Sequence, residues 1–461
     1  MLKSQPWLKF TDGFEIELIQ AEDEGRVITD EIRLEYAEIL KFIQENKDKP
    51  ESQLKARDFY IKIQELPYNK DYKYNEPNDL ESIKKARPEN SKNSGLDKSI
   101  LKDENKSKLY DRIFGAWLAR CAGCLLGKPV EGWKKDNLHG LLKDTGNFPV
   151  NYYISSDIDE EIIKKYNMNK HAAWINNVSF MPEDDDTNYT VIGLKLLSSY
   201  GKDFTSDDAA ECWLANLPVL HVCTAERVAY KNLVNSCFPP QSASYCNPYR
   251  EWIGAQIRAD FFGYITPANP ELGAELAYRD AAISHIKNGI YGEMWVAAML
   301  SAASVLDCGT PGVMQKIIEA GLYEIPEKCR LAEDIYKVIS WKKENKTYDE
   351  AIELIHKQYD EHFSHHWCHT NSNAMIVAAA LLYGGLDLEK TIGYAVMGAF
   401  DTDCNGATAG SVLGMILGAE KLPQKWIDPL CDTIISGVDG FGKVKISFLV
   451  GETMKHVIAD I

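Results

Sequence analysis

The stretch that most restricts what this chain can become is Phe400–Gly418, FDTDCNGATAGSVLGMILG. Two carboxylates, Asp401 and Asp403, stand two residues apart, and Gly406, Ala407, Ala409, Gly410 and Gly414 follow at once. Small residues along a helix let other helices approach closely. A DxD at the start of such a helix supplies oxygen ligands of the kind a hard cation such as magnesium takes. The free N–H groups and dipole at the same end favour anions. Taken alone, the pattern fits equally an Asp that caps a tightly packed helix.

A second acidic cluster changes the balance. Glu183, Asp184, Asp185 and Asp186 run together in MPEDDDTNYT, just ahead of an apolar helix, with Pro182 setting the turn. Adjacent carboxylates repel in low dielectric unless something neutralises them. Bound metal would turn that penalty into an organising interaction. Glu131, in the loop that ends the segment DRIFGAWLARCAGCLLGKPVEGW, is a third acidic element, with Trp133 beside it. In ISHIKNGIYGEMWVAAM, His285, Asn288, Gly289 and Tyr291 make a polar, glycine-flexed connection between two helices, able to offer N–H groups and one imidazole to a ligand. His362, His365, His366 and His369 crowd around Trp367 and Cys368, yet their spacing matches no closed zinc site, which points to a structural or site-lining loop. Cys121 and Cys124 form a CxxC inside a helix already under way from Tyr110, the wrong context for a redox motif. No phosphate-binding loop, nucleophile elbow or dinucleotide glycine pattern is present.

The remaining segments read as helices at 3.6-residue period, and few alternate at strand period. The chain therefore reads as an all-α, compact multi-helix bundle with functional loops between helices. Residues 1–100 form a more polar accessory helical segment and linker, with helices over Glu31–Glu45 and Arg57–Leu66 and irregular coil over Pro67–Ser99. Residues 101–461 form the main helical domain, with Leu138–Phe180 irregular apart from a short helix near Asp157–Tyr166. With 461 residues and 45% hydrophobic content a large core is affordable. A net charge of -17 argues against a nucleic-acid backbone as partner but leaves room for a phosphorylated small molecule held through metal. There is no leader-like start and no apolar run long enough to span a membrane. The eleven scattered cysteines fit a reducing compartment, so the expected location is cytoplasmic. The oligomeric state is left open.

In chain order, DRIFGAWLARCAGCLLGKPVEGW, EDDDTNYT and DTDCNGATAGSVLG resemble the ADP-ribosylglycohydrolase family, from about Asp111 to Lys455. The resemblance implies an all-α fold with two magnesium ions in a cleft, manganese being a substitute. Asp184, Asp185 and Asp186 match the first metal motif, Asp401 and Asp403 the closing one, and Glu131 the loop Glu that contacts the dinuclear centre and the substrate ribose. Asp184 replaces a common Thr, Cys124 stands where Asp is frequent, and Cys404 stands where the family has Thr. Cys404 is thus an expected neighbour of the metals, though soft sulfur suits magnesium poorly. The implied activity is hydrolysis of an N- or O-glycosidic bond at ribose C1, with Glu131 or Asp186 as base. The substrate is an ADP-ribosylated protein or a small ADP-ribose conjugate, its pyrophosphate near His285–Tyr291. A glycosidase for another ribosyl or sugar conjugate, or a non-catalytic binding protein on the same fold, are the alternatives.

Overall fold

The computed structural model describes residues 5–47, 49–89 and 96–458. Helices dominate, and the only paired strands among the described residues are a hairpin of Thr433–Ile435 with Lys443–Lys445, with Thr433 opposite Lys445. Met181, just before the acidic cluster, bridges to Ile434 of this hairpin, so the hairpin braces the approach to Glu183–Asp186.

Three helices form the centre: Asn288–Ala303, Thr370–Gly384 and Thr402–Leu417. Every residue of Asn288–Ala303 is buried. A helix apolar on all sides belongs inside a large core, where packing supplies the stability that propensity alone cannot. Lys106–Gly127 lies antiparallel against Thr402–Leu417. Gly115 faces Gly414, Ala119 faces Gly410, Gly123 faces Gly406, and Gly127 faces Thr402. Each step is four residues, so one face of each helix is a stripe of near-absent side chains. The Thr402 hydroxyl donates to the Gly127 carbonyl at 2.9 Å and fixes the register at the end where the carboxylates lie.

The segment before residue 100 packs onto this body through buried charge. Helix Phe14–Asp23 and the turn after it present Glu17 and Glu24 to Arg250, with Glu17 at 2.7 Å, and all three are buried. Glu76 takes three hydrogen bonds from the Arg330 guanidinium and one from the Arg330 backbone N–H. Two helices lie where coil was expected: Leu80–Ala86, capped by Asp79, and Lys135–Asp144, whose Leu138, Leu141 and Leu142 are fully buried. Residues 90–95 of the expected linker lie outside the described residues. Phe14–Asp23 is a further helix that periodicity missed, because its buried face carries Glu17 and Gln20 beside Phe14, Ile16 and Leu18. No helix of the described residues is long and apolar enough to cross a membrane.

Candidate active site

Four chain elements converge on one acidic cavity of about 100 Å³, with Glu131, Asp185, Glu226, Asp401 and Asp403 on its walls. Glu131 comes from the turn that ends Lys106–Gly127, and Asp185 opens helix Asp185–Tyr200. Asp401 and Asp403 come from the start of Thr402–Leu417. The chain reaches Asp401 through Ala399 and Phe400, both in the left-handed region at φ 59° and 55°. Two consecutive non-glycine residues there are strained, and such strain persists only where the surroundings over-determine it. Phe400 is fully buried, and the Asp401 N–H donates to Asn373 Oδ1 at 3.1 Å.

Glu131, Asp401 and Asp403 each offer a carboxylate oxygen within 4.8 Å of the others, and Asp186, Asp403 and Cys404 form a second such group. Burial, then Asp403 and Glu131, push the Asp401 carboxyl well above its ordinary range. The charge of Asp403, then burial of its carboxyl, does the same to Glu131, whose residue as a whole is exposed while its carboxyl lies within 4.8 Å of those of Asp401 and Asp403. Asp185 rises to about 7 through burial and Asp184, and Asp403 to about 6 through burial and Asp184. Asp186 is the sharpest case. It is fully buried, and neither carboxylate oxygen has a hydrogen-bond partner. Arg120 reaches only within 3.8 Å of it, because its guanidinium is held by Asp260 at 2.8 Å and by the carbonyls of Asp186 and Ile257. A buried carboxylate with both oxygens orphaned is costly unless a cation sits beside it. Asp186 falls in two groups able to hold an ion, with Asp403 and Cys404 and with Cys124 and Asp184; in each the two carboxylates suit a hard divalent ion and the thiol does not.

Asp184 is placed differently from its neighbours. Its Oδ1 caps the helix by accepting the Asp186 N–H at 2.9 Å, and its Oδ2 takes Lys128 Nζ at 2.6 Å. Burial works against its charge, but Lys128 outweighs that and holds the carboxyl below its ordinary value. Cys404 lines the cavity as a buried thiol, pushed up by burial and by Asp186, and so stays neutral.

His285, Asn288, Gly289 and Tyr291 do not line this cavity. Asn288 opens the central helix rather than a loop, and its side chain donates to Glu76 at 2.9 Å and to Glu251 at 2.8 Å. The Tyr291 hydroxyl donates to the Pro77 carbonyl. Gly289 is pressed on Arg250, whose carbonyl would lie 2.9 Å from an added Cβ. His285 is fully buried with Nδ1 on Ser284, and burial, then Arg258, lowers its pKa well below the ordinary value. The physical reason is the extension: Glu76 and Pro77 cover this face and use its polar groups. The His362–His369 stretch, expected as a loop, contains a short helix Ser364–Cys368 that puts Trp367 and Cys368 on the cavity wall.

Asp23, His365 and His369 form a separate group close enough for a metal. There the Trp252 indole N–H donates to His365 Nδ1 and the Asn371 N–H donates to His369 Nδ1, both at 3.1 Å. A neutral ring that accepts at Nδ1 carries its proton on Nε2. His365 turns its Nε2–H to Asp23 Oδ2 at 3.0 Å, so this ring is already engaged by the carboxylate.

Sequence reasoning missed Glu226 and Trp7. Glu226 is buried, bonded to Arg258 at 2.7 Å, and raised to about 7 by burial. In sequence it is one acidic residue in the first turn of Thr224–Val234, where carboxylates are commonplace.

No curated protein matches the chain in sequence. Among solved structures, one described as an ADP-ribosylglycohydrolase-related protein complex is similar at 15% identity and a TM-score of 0.47, covering 76% of this chain and 100% of that one. The family model for ADP-ribosylglycohydrolase matches residues 105–448, a span that carries Glu131, Asp186 and the DxD helix. The chain therefore belongs to the ADP-ribosylglycohydrolase family of hydrolases.

Proposed function

We propose that the protein hydrolyses the glycosidic bond at ribose C1 of an ADP-ribosylated substrate, using two magnesium ions for which manganese substitutes. The observation that supports this most is Asp186, buried with both oxygens unpartnered beside Asp403 and Cys404. Asp185, Asp186, Asp401, Asp403 and Glu131 would hold the metal, with Asp184 acting through its cap and Lys128 rather than as a free ligand. When bound, the divalent ions supply charge that orients the vicinal ribose hydroxyls and makes water more acidic.

The chain's own residues do the rest. Glu131, whose carboxyl lines the cavity, would accept a proton from water attacking C1. Asp186 is too enclosed to meet a substrate proton, so its role is to hold metal. The acidic walls favour positive charge that develops on the ribose ring as the bond to the leaving group lengthens. Trp367 and Cys368 close one side against water. The substrate is an ADP-ribosylated protein or a small ADP-ribose conjugate.

The test is release of ADP-ribose from arginine- and serine-linked substrates with magnesium, with EDTA, and in the Asp403→Asn and Glu131→Gln variants. Turnover that needs magnesium and falls at least a hundredfold in both variants supports the reading. Equal turnover in EDTA, or none on any ribosyl conjugate despite bound metal, overturns it.

A further inference from the structure

We infer that Trp7, carried in by the N-terminal segment, is a substrate-contacting residue that stacks on a planar ring of the substrate at the mouth of the carboxylate cavity. This rests on the reading of that cavity as a ribosyl hydrolase site.

Trp7 lines the same cavity as Asp185, Asp401 and Asp403, although it precedes the first of them by most of two hundred residues of chain. It is placed there by a strap that runs along helix Thr224–Val234. The Arg227 guanidinium stacks on the Trp7 ring, 4.7 Å from its centroid. Arg227 is itself fixed, donating to the carbonyls of Val222 at 2.8 Å and Leu220 at 3.2 Å. One helical turn further on, Lys231 stacks on Phe10 at 4.4 Å. Gln53 then accepts the Phe10 N–H and donates to the Thr11 hydroxyl, both at 2.8 Å. The first turn of the same helix supplies Thr224 and Glu226 to the cavity, so strap and wall share one rigid element.

The strap holds Trp7 against its own backbone preference. Its φ of 66° lies in the left-handed region, uncommon for a bulky residue. The indole packs against the main core without being enclosed by it. Trp117, Trp174, Trp213, Trp295 and Trp426 are all under 2% exposed, whereas Trp7 stays half-buried. Strain held in place beside a cavity, on a ring left partly open, is the pattern of a ligand wall.

The size of the cavity says what meets that wall. About 100 Å³ holds one sugar ring and little else. Whatever is attached to the ribose must extend out of the cavity, and Trp7, a half-buried residue of its wall, offers an aromatic surface for it to meet. Indole faces favour flat rings, and each base stacked on an aromatic side chain strengthens binding roughly ten- to a hundredfold. The ring is either the adenine of ADP-ribose or an aromatic leaving group on C1, and the two are separable.

The experiment uses the full chain with magnesium. Trp7→Leu keeps apolar bulk on Arg227 without a ring face, and Trp7→Phe keeps a ring. Titration calorimetry measures ADP-ribose and ribose 5-phosphate, steady-state kinetics measures a pyridine riboside, and thermal melts confirm that both variants fold. If adenine is the ring, ADP-ribose binds Trp7→Leu at least tenfold more weakly, binds Trp7→Phe within threefold of the wild type, and ribose 5-phosphate is unaffected. If the leaving group is the ring, ADP-ribose is unaffected and KM for the riboside rises at least tenfold in Trp7→Leu with kcat retained. Equal losses for ribose 5-phosphate and the ring-bearing ligands, or no change in any, overturn the inference and make Trp7 a plug. A wild type that binds none of the three fails the hydrolase reading first, and this inference falls with it.

Discussion

Gly123 and Gly406 meet backbone to backbone: a Cβ on Gly123 would fall 1.9 Å from the Gly406 carbonyl oxygen, and one on Gly406 would fall 2.4 Å from that of Gly123. Neither contact is relieved by a rotamer change, since both partners are main chain. Gly123→Ala or Gly406→Ala must push the two helices apart. The expected loss is about 3 kcal/mol or more, at the upper end of overpacking costs, read from urea midpoints. Magnesium affinity falls in the same variants, because Asp401 and Asp403 ride on the displaced helix. Gly451→Ala is the control. It is helical with nothing within 4 Å of an added Cβ, and it should stabilise by up to about 1 kcal/mol.

Asp186→Asn separates stability from metal binding. In the metal-free protein the buried, unpartnered carboxylate is a liability, so the amide should raise the melting temperature in EDTA, by a gain of about 1 to 3 kcal/mol. The same variant should lose the rise in melting temperature that magnesium gives the wild type. A lower melting temperature in EDTA would show that Arg120 already neutralises this group.

The acidic cluster also dictates a pH dependence. Asp185 and Asp403 rise in the folded protein from 3.8 to about 7 and about 6. Between pH 4 and 7 the folded, metal-free chain therefore holds protons that the unfolded chain has lost. Stability in EDTA should fall as pH rises through that window. Magnesium needs the deprotonated forms, so its apparent affinity should climb over the same range and level off above about pH 8. Melts at pH 5, 6, 7 and 8, with EDTA and with magnesium, should diverge as pH rises.

Arg250 offers a test of the extension. Arg250→Met strands Glu17 and Glu24 in the interior, and removing one partner of buried ion pairs costs about 3 to 5 kcal/mol. Burial works to raise both carboxyls: it prevails at Glu17, which sits at about 7, whereas Arg250, Lys287 and Arg26 together outweigh it and hold Glu24 at about 2, so the acid loss comes from Glu24. Its contribution is thus present above pH 4.5 and is lost as pH falls toward 2. The variant should show a lower denaturation midpoint at pH 7 and a smaller gap to the wild type at pH 2.5.

Much of the fold was legible because long apolar stretches such as Ala374–Leu382 cannot be loops, and because glycine and proline mark where helices stop. Asp401, Asp403 and the Glu183–Asp186 run were legible because carboxylates concentrated at helix starts ask for a counter-charge. What differs between Asp184 and Asp186 was not legible. Which of two neighbouring carboxylates meets Lys128 and which stays unpartnered is decided by the angle at which helices cross. The polar groups of Asn288 and Tyr291 looked available for a ligand, and only tertiary packing shows Glu76 and Pro77 on them. Trp7 left no trace, since a single aromatic in a polar segment acquires meaning only from Arg227 stacked on it.

The strap along Thr224–Val234 bears on how the protein should be handled. Trp7 and Phe10 are held to that helix by Arg227 and Lys231, so side-chain contacts rather than a covalent link keep the indole at the cavity. A preparation clipped within this segment would lose the indole while Arg227, Thr224 and Glu226 stayed in place, so intact mass is worth confirming before activity is measured.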